Sequence, residues 1–109
     1  MTTNINDDDD DAILANDNPS ICIPRVFNSI TVSFISNLFQ NEIKLGRIQK
    51  IDIIKNYNDT QFKKVFIHFE EWYNTDKNNI IKQKLYDGKI IKIVYDYPWF
   101  WKCALNKSS

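Results

Sequence analysis

The sequence predicts an α+β domain in the order β-α-β-β-α-β, with a four-stranded antiparallel sheet and two helices on one face. Three observations predict it. Apolar residues recur two apart in some stretches and three or four apart in others, and the two periods alternate in that order. The only two glycines, Gly46 and Gly88, each stand just beyond a stretch of helical spacing, where a left-handed backbone is most often needed. At 109 residues the chain suffices for one core of two packed layers but not for two.

The elements follow in order. In "SICIPRVF" Ile21 and Ile23 share a face, and Pro24 forces an edge, a bulge or the strand's end. In "TVSFISNLFQNEIKLG" Phe34, Ile35, Leu38 and Phe39 take helical spacing, with Thr31 as N-cap and Gly46 as the C-terminal stop. "RIQKIDII" is extended again, with Ile51 and Ile53 two apart, and "KNYNDTQ" is a polar hairpin connection. "KKVFIHFEEW" alternates regularly: Val65, Ile67 and Phe69 face the core, and Lys64, Phe66 and His68 face the other way. "NTDKNNIIKQKLYDG" reads as a second helix capped by Asn74 or Thr75, with Ile81 and Leu85 four apart. "KIIKIVYDY" is the fourth strand, with Ile91 and Ile93 toward the core. Two βα units joined by a hairpin make the split βαβ, ferredoxin-like arrangement. Right-handed crossovers place both helices on one side and leave the other face of the sheet uncovered.

Formal charge is zero, but it is unevenly spread. Six of the 14 acidic residues, the run Asp7–Asp11 and Asp17, precede Pro19, where there is no Lys or Arg. From residue 20 onward 14 basic side chains face eight acidic ones, so the body is mildly basic and compatible with polyanions. Residues 1–19 are therefore expected to be a disordered acidic tail and 20–109 a single domain. A tail of this kind is either simply solvated or folds back over a basic surface in competition with polyanions. Acid stands where a secretory signal would be positive, which predicts an intracellular protein. No run reaches the roughly 18 apolar residues that span a bilayer. Cys22 and Cys103 have neither a disulfide framework nor the spacing of a zinc site, and are expected to be reduced, packed thiols.

Enzyme chemistry and cofactors are not expected. His68 is the only histidine, and two glycines are too few for a phosphate loop. Glu70 and Glu71 are consecutive, so on a strand they point to opposite faces and cannot work as a pair. No metal site is expected, since a flexible acidic run lacks fixed coordination.

From "ICIPRV" (21–26) through "FKKVFIHF" (62–69) to "LYDGKIIKIV" the chain resembles the RNA recognition motif domain over residues 20–97. The two first-named segments stand where that family carries its shorter and longer ribonucleoprotein motifs. "IPRVF", "VFIHFEEW" and "IVYDYPWFWK" look most like the motif-like proteins encoded by giant (nucleocytoplasmic large) DNA viruses, and the Asn- and Ile-rich composition fits an AT-rich genome. The resemblance implies single-stranded RNA, or DNA, held by bases stacked on aromatic side chains of the two central strands. The shorter motif's stacking position falls on Cys22, and the longer motif's two fall on Lys64 and Phe66, so Phe66 alone keeps a ring. The expected nucleic-acid site is thus Phe66, Lys64, His68, Cys22, Lys92 and Phe62, with Lys50 near it and Asp52 and Asp96 opposing a phosphate backbone.

The aromatic C-terminal extension (97–109) opens a second reading. Trp99 and Trp101 alternate like strand residues, and Pro98 suggests a bend. If "YPWFWK" folds across the sheet, Phe66 becomes core. If it projects, Trp99, Phe100 and Trp101 form a patch for a protein partner or a second copy. In that reading the chain is a protein-interaction module using this segment or the helical face.

Overall fold

A computed structural model of the chain describes residues 17–106. The Asp7–Asp11 run, with both readings of the tail, lies outside the described residues. Strand β1 is Ile21–Phe27, helix α1 is Val32–Asn37 followed by a π-helical turn Leu38–Glu42, and β2 is Gly46–Asn56. Strand β3 is Asp59–Trp72, α2 is Asp76–Tyr86, β4 is Ile91–Asp96 and β5 is Trp99–Leu105.

The α+β class stands, but the sheet has five strands rather than four, in the order β2-β3-β1-β5-β4. All neighbours are antiparallel. The chain does not bend at Pro98 and continue; it reverses at Tyr97–Pro98 and returns as β5 along β4. The strand beside β1 is therefore β5, and the expected fourth strand, β4, is an edge. The segment 97–105 neither crosses the sheet nor projects from it. Its alternation of large β-forming side chains supplies a further strand.

Alternate strand residues and both helices close one core: Ile21, Ile23, Val65, Ile67 and Phe69 meet Ile35 and Phe39 of the first helix and Leu85 of the second. Thr31 caps α1 as its hydroxyl accepts from the Phe34 N–H at 3.1 Å, and Thr75 caps α2 by accepting from Asn78. The left-handed residue after the first helix is Lys44 (φ 53°), not Gly46. Gly46 is needed for another reason: a Cβ there would stand 2.3 Å from the Glu71 carbonyl oxygen. Gly88, at φ 83°, is the left-handed stop that its place after α2 predicts.

Residues 17–19, assigned to the tail by sequence, are tied to the domain. The Trp72 indole donates to the Pro19 carbonyl at 2.9 Å, the Trp72 backbone N–H donates to the Asn18 side chain, and Lys82 reaches the Asp17 carbonyl. Tyr86 donates its hydroxyl proton to the Asp17 carboxylate. Trp72 is thus a structural residue, packed on Phe69 with its indole N–H satisfied.

Candidate nucleic-acid interface

Pairing across β1 and β3 puts Cys22 beside Phe66, and pairing across β3 and β2 puts Asp52 on the other side of Phe66. Alternation then sets Lys64 and His68 on the same helix-free face, two residues to either side of Phe66. Phe66 and Cys22 are half-buried and Lys64 is exposed. Burial pushes the Cys22 thiol up, and the nearby Lys64 ammonium partly offsets this. Phe66, Lys64 and Cys22 are therefore brought together, while Phe62, four residues along β3 on the same face and about 13 Å away, pairs with Phe27 instead. Lys92, on β4, is three strand spacings from Phe66, about 14 Å, and stands over the Phe100 ring at 4.4 Å instead.

His68 is engaged on both ring nitrogens. Its Nε2 is 2.9 Å from Asp52 Oδ2 and its Nδ1 is 2.8 Å from Ser20 Oγ. With Nε2–H donating to the carboxylate, Nδ1 accepts the Ser20 hydroxyl proton. A base would have to break this bridge to hydrogen-bond His68, so the side chain fixes the N-terminal segment to the sheet. Asp52 is held by His68 and also lies 3.9 Å from the Lys50 ammonium, which partly neutralises the acid expected to repel a phosphate. Residue order hid this cluster, because Ser20, Asp52 and His68 are far apart in the chain and meet only through strand pairing. Its resemblance to a nucleophile, base and carboxylate series ends with access. Ser20 is buried, and none of the three lines either of the two hollows described below.

The aromatic C-terminal residues divide. Trp101 is 2% exposed and stacks with Phe39 and Tyr95, so it belongs to the core and leaves the expected partner patch. Its indole N–H has no acceptor among the described residues. Trp99 and Phe100 are 55% and 41% exposed. The sequence did not reveal what lies next to them. Strand β1 bulges between Ile23 and Val26, as Pro24 foretells, and its pairing with β5 is confined to Ile21–Leu105 and Cys22–Ala104. Beyond that point β1 and β5 diverge and leave a groove of about 540 Å³, walled by Phe27, Phe62, Trp99 and Phe100, with Arg25 and Lys102 on it. Phe27 stacks on Phe62 at 4.9 Å and meets Trp99 edge-on at 5.8 Å, while the Arg25 guanidinium lies 4.1 Å over the Phe62 ring. A second hollow of about 480 Å³ adjoins it, sharing Pro24, Arg25 and Phe62 and carrying Lys55 and Lys64.

Among the described residues no group of three or more His, Cys, Asp or Glu stands together to hold a metal ion, and no helix is long and apolar enough to cross a membrane. Cys22 and Cys103 are free thiols, and burial pushes Cys103 up to about 12. Comparison with protein-family models, with curated proteins and with solved structures gave no match to this chain.

Proposed function

We propose that this chain is a non-enzymatic module that binds single-stranded RNA or DNA weakly on the helix-free face of a split βαβ sheet of the RNA recognition motif kind. In this reading β2-β3-β1-β5 form the ferredoxin-like sheet and β4 is an added edge strand. The observation that carries the reading is that Phe66 and Lys64 stand on a face the C-terminal segment leaves uncovered, since that segment lies in the sheet as β5. A base on one aromatic ring is worth about 1–3 kcal/mol, so Phe66 by itself supports weak contact, helped by the cations Lys64 and Lys50. An intracellular, virus-encoded setting belongs to the same proposal and rests on the sequence resemblance.

Titration of labelled single strands against the wild type and Phe66→Ala tests it. Binding that falls with salt at a log–log slope of roughly −0.7 per phosphate, and weakens in the variant, supports the reading. No binding at low salt, or unchanged binding in the variant, overturns it.

The exposure of Trp99 and Phe100 next to an edge strand favours one second reading, a protein-interaction surface used by a partner or a second copy. Solution mass of the wild type and of Trp99→Ala tests the self-association form. A monomer in both cases removes it.

A further inference from the structure

We propose that the groove between the bulged end of β1 and β5 is a nucleotide subsite, holding one base of a single strand against Trp99 with the flanking phosphates on Arg25 and Lys102. The proposal rests on the nucleic-acid reading above but moves its strongest contact away from Phe66.

The bulge makes the site. Pro24 has no N–H to give to either neighbouring strand, and the extra residue turns Arg25 outward at the point where β1 leaves β5. The groove that opens, about 540 Å³, falls within the range of roughly 300–1,000 Å³ typical of small-molecule sites. Its walls are rings, and Trp99, 55% exposed, offers the indole surface on which bases of any identity stack. The Arg25 guanidinium already stands 4.1 Å over the Phe62 ring, and a guanidinium is a second kind of group on which a base can stack.

Charge selects the occupant. Among the described residues the groove is lined by Arg25 and Lys102 and by no acid. Lys102 is also directly opposite Lys92 across β4 and β5, a like-charge pair that disfavours the empty sheet and is relieved by an anion. The adjoining hollow adds Lys55 and Lys64 against one acid, Asp59, whose carboxylate accepts from the Gln61 and Phe62 N–H groups. An aromatic groove and a basic hollow meeting at Arg25 match the alternation of base and phosphate along a strand. A free mononucleotide would fill only the first of them.

The test is fluorescence anisotropy with labelled oligouridine and oligothymidine of about eight nucleotides, at low salt, on the full chain. It uses the wild type, Trp99→Ala, Arg25→Ala and Phe66→Ala, with thermal melting to show that each exposed-site variant is folded. Both groove variants are expected to weaken binding by about tenfold or more. Unlabelled strand is expected to quench wild-type tryptophan emission through Trp99, since Trp72 and Trp101 are buried. Free uridine monophosphate is expected to compete only at far higher concentration. Binding retained in both groove variants but lost in Phe66→Ala overturns the groove and leaves the sheet-face reading standing. Absence of wild-type binding overturns both. A mononucleotide that competes as well as the strand overturns the strand as occupant. A wild-type dimer that Trp99→Ala converts to monomer, with strand binding unchanged, assigns the groove to a second copy instead.

Discussion

Phe39, in the π-helical turn that continues α1, and Trp101 of β5 lie with their ring planes 7° from parallel and their centroids 6.2 Å apart. Tyr95 stacks on the same indole at 4.4 Å, so the last strand is fastened to the first helix through the core. Trp101→Ala is expected to destabilise the domain by about 3–5 kcal/mol, and Trp99→Ala, two residues away but exposed, by less than about 1 kcal/mol. Urea denaturation of the two variants checks this. Equal losses would mean that β5 is not seated as described.

The two glycines are expected to behave differently. Gly46→Ala drives a Cβ to 2.3 Å from the Glu71 carbonyl oxygen and 2.9 Å from the Trp72 Cα, both backbone atoms, so β2 must part from β3 at that end. Gly88→Ala meets open space and only the strain of a left-handed alanine, about 1–2 kcal/mol. Melting temperatures should fall further for Gly46→Ala. The reverse order would contradict the close approach of β2 to β3.

Ser20, His68 and Asp52 are expected to act as a fastening and not as chemistry. His68→Ala should speed amide exchange over residues 17–21, and a fluorophosphonate should leave Ser20 unlabelled in the folded protein. Labelling of Ser20 would show that the hydroxyl is accessible and activated, against its burial.

Stability should respond to alkali through Cys103. Burial pushes its thiol up to about 12, so the fold favours the protonated form. This contribution is complete below the unfolded pKa, near 9, and is lost as pH climbs toward about 12, at roughly 1.4 kcal/mol per pH unit. Lys63 and Lys82 run the other way. Burial lowers both, so their desolvation cost is present at neutral pH and fades as pH rises toward the unfolded lysine value. Cys103→Ala removes only the first trend. Denaturation between about pH 9 and about pH 11 should show the wild type losing more stability than the variant, and parallel curves would place the thiol at its ordinary pKa.

Much of the scaffold was legible because short-range physics determines it. The Thr31 cap, a cap at Asn74 or Thr75, an interruption of β1 at Pro24 and the core faces of β1 and β3 are local consequences of side-chain chemistry and a period of two; that Thr75 caps and that Pro24 makes a bulge came from the structure. The Gly46 reading failed for an equally physical reason: a glycine after a helix serves either a left-handed turn or a close approach, and Lys44 had already made the turn. For the site, alternation was enough to set Phe66 and Lys64 on the face away from the core. It did not reveal that His68 is occupied at both nitrogens, because Ser20 and Asp52 reach it only through the sheet.

By itself the sequence determined the α+β class, the helices, the four expected strands and the two faces of "KKVFIHFEEW", all of which follow from spacing along the chain. Only the tertiary structure decided what the aromatic C-terminal segment does. Whether "WFWKCAL" covers the sheet, projects from it or joins it depends on which strand edge is free to accept its backbone hydrogen bonds. Strand β1 offers that edge next to Cys22 and withdraws it at Pro24. One strand thus buries Trp101 in the core, lies in the sheet rather than across Phe66, and brings Trp99 to a groove that Arg25 also lines.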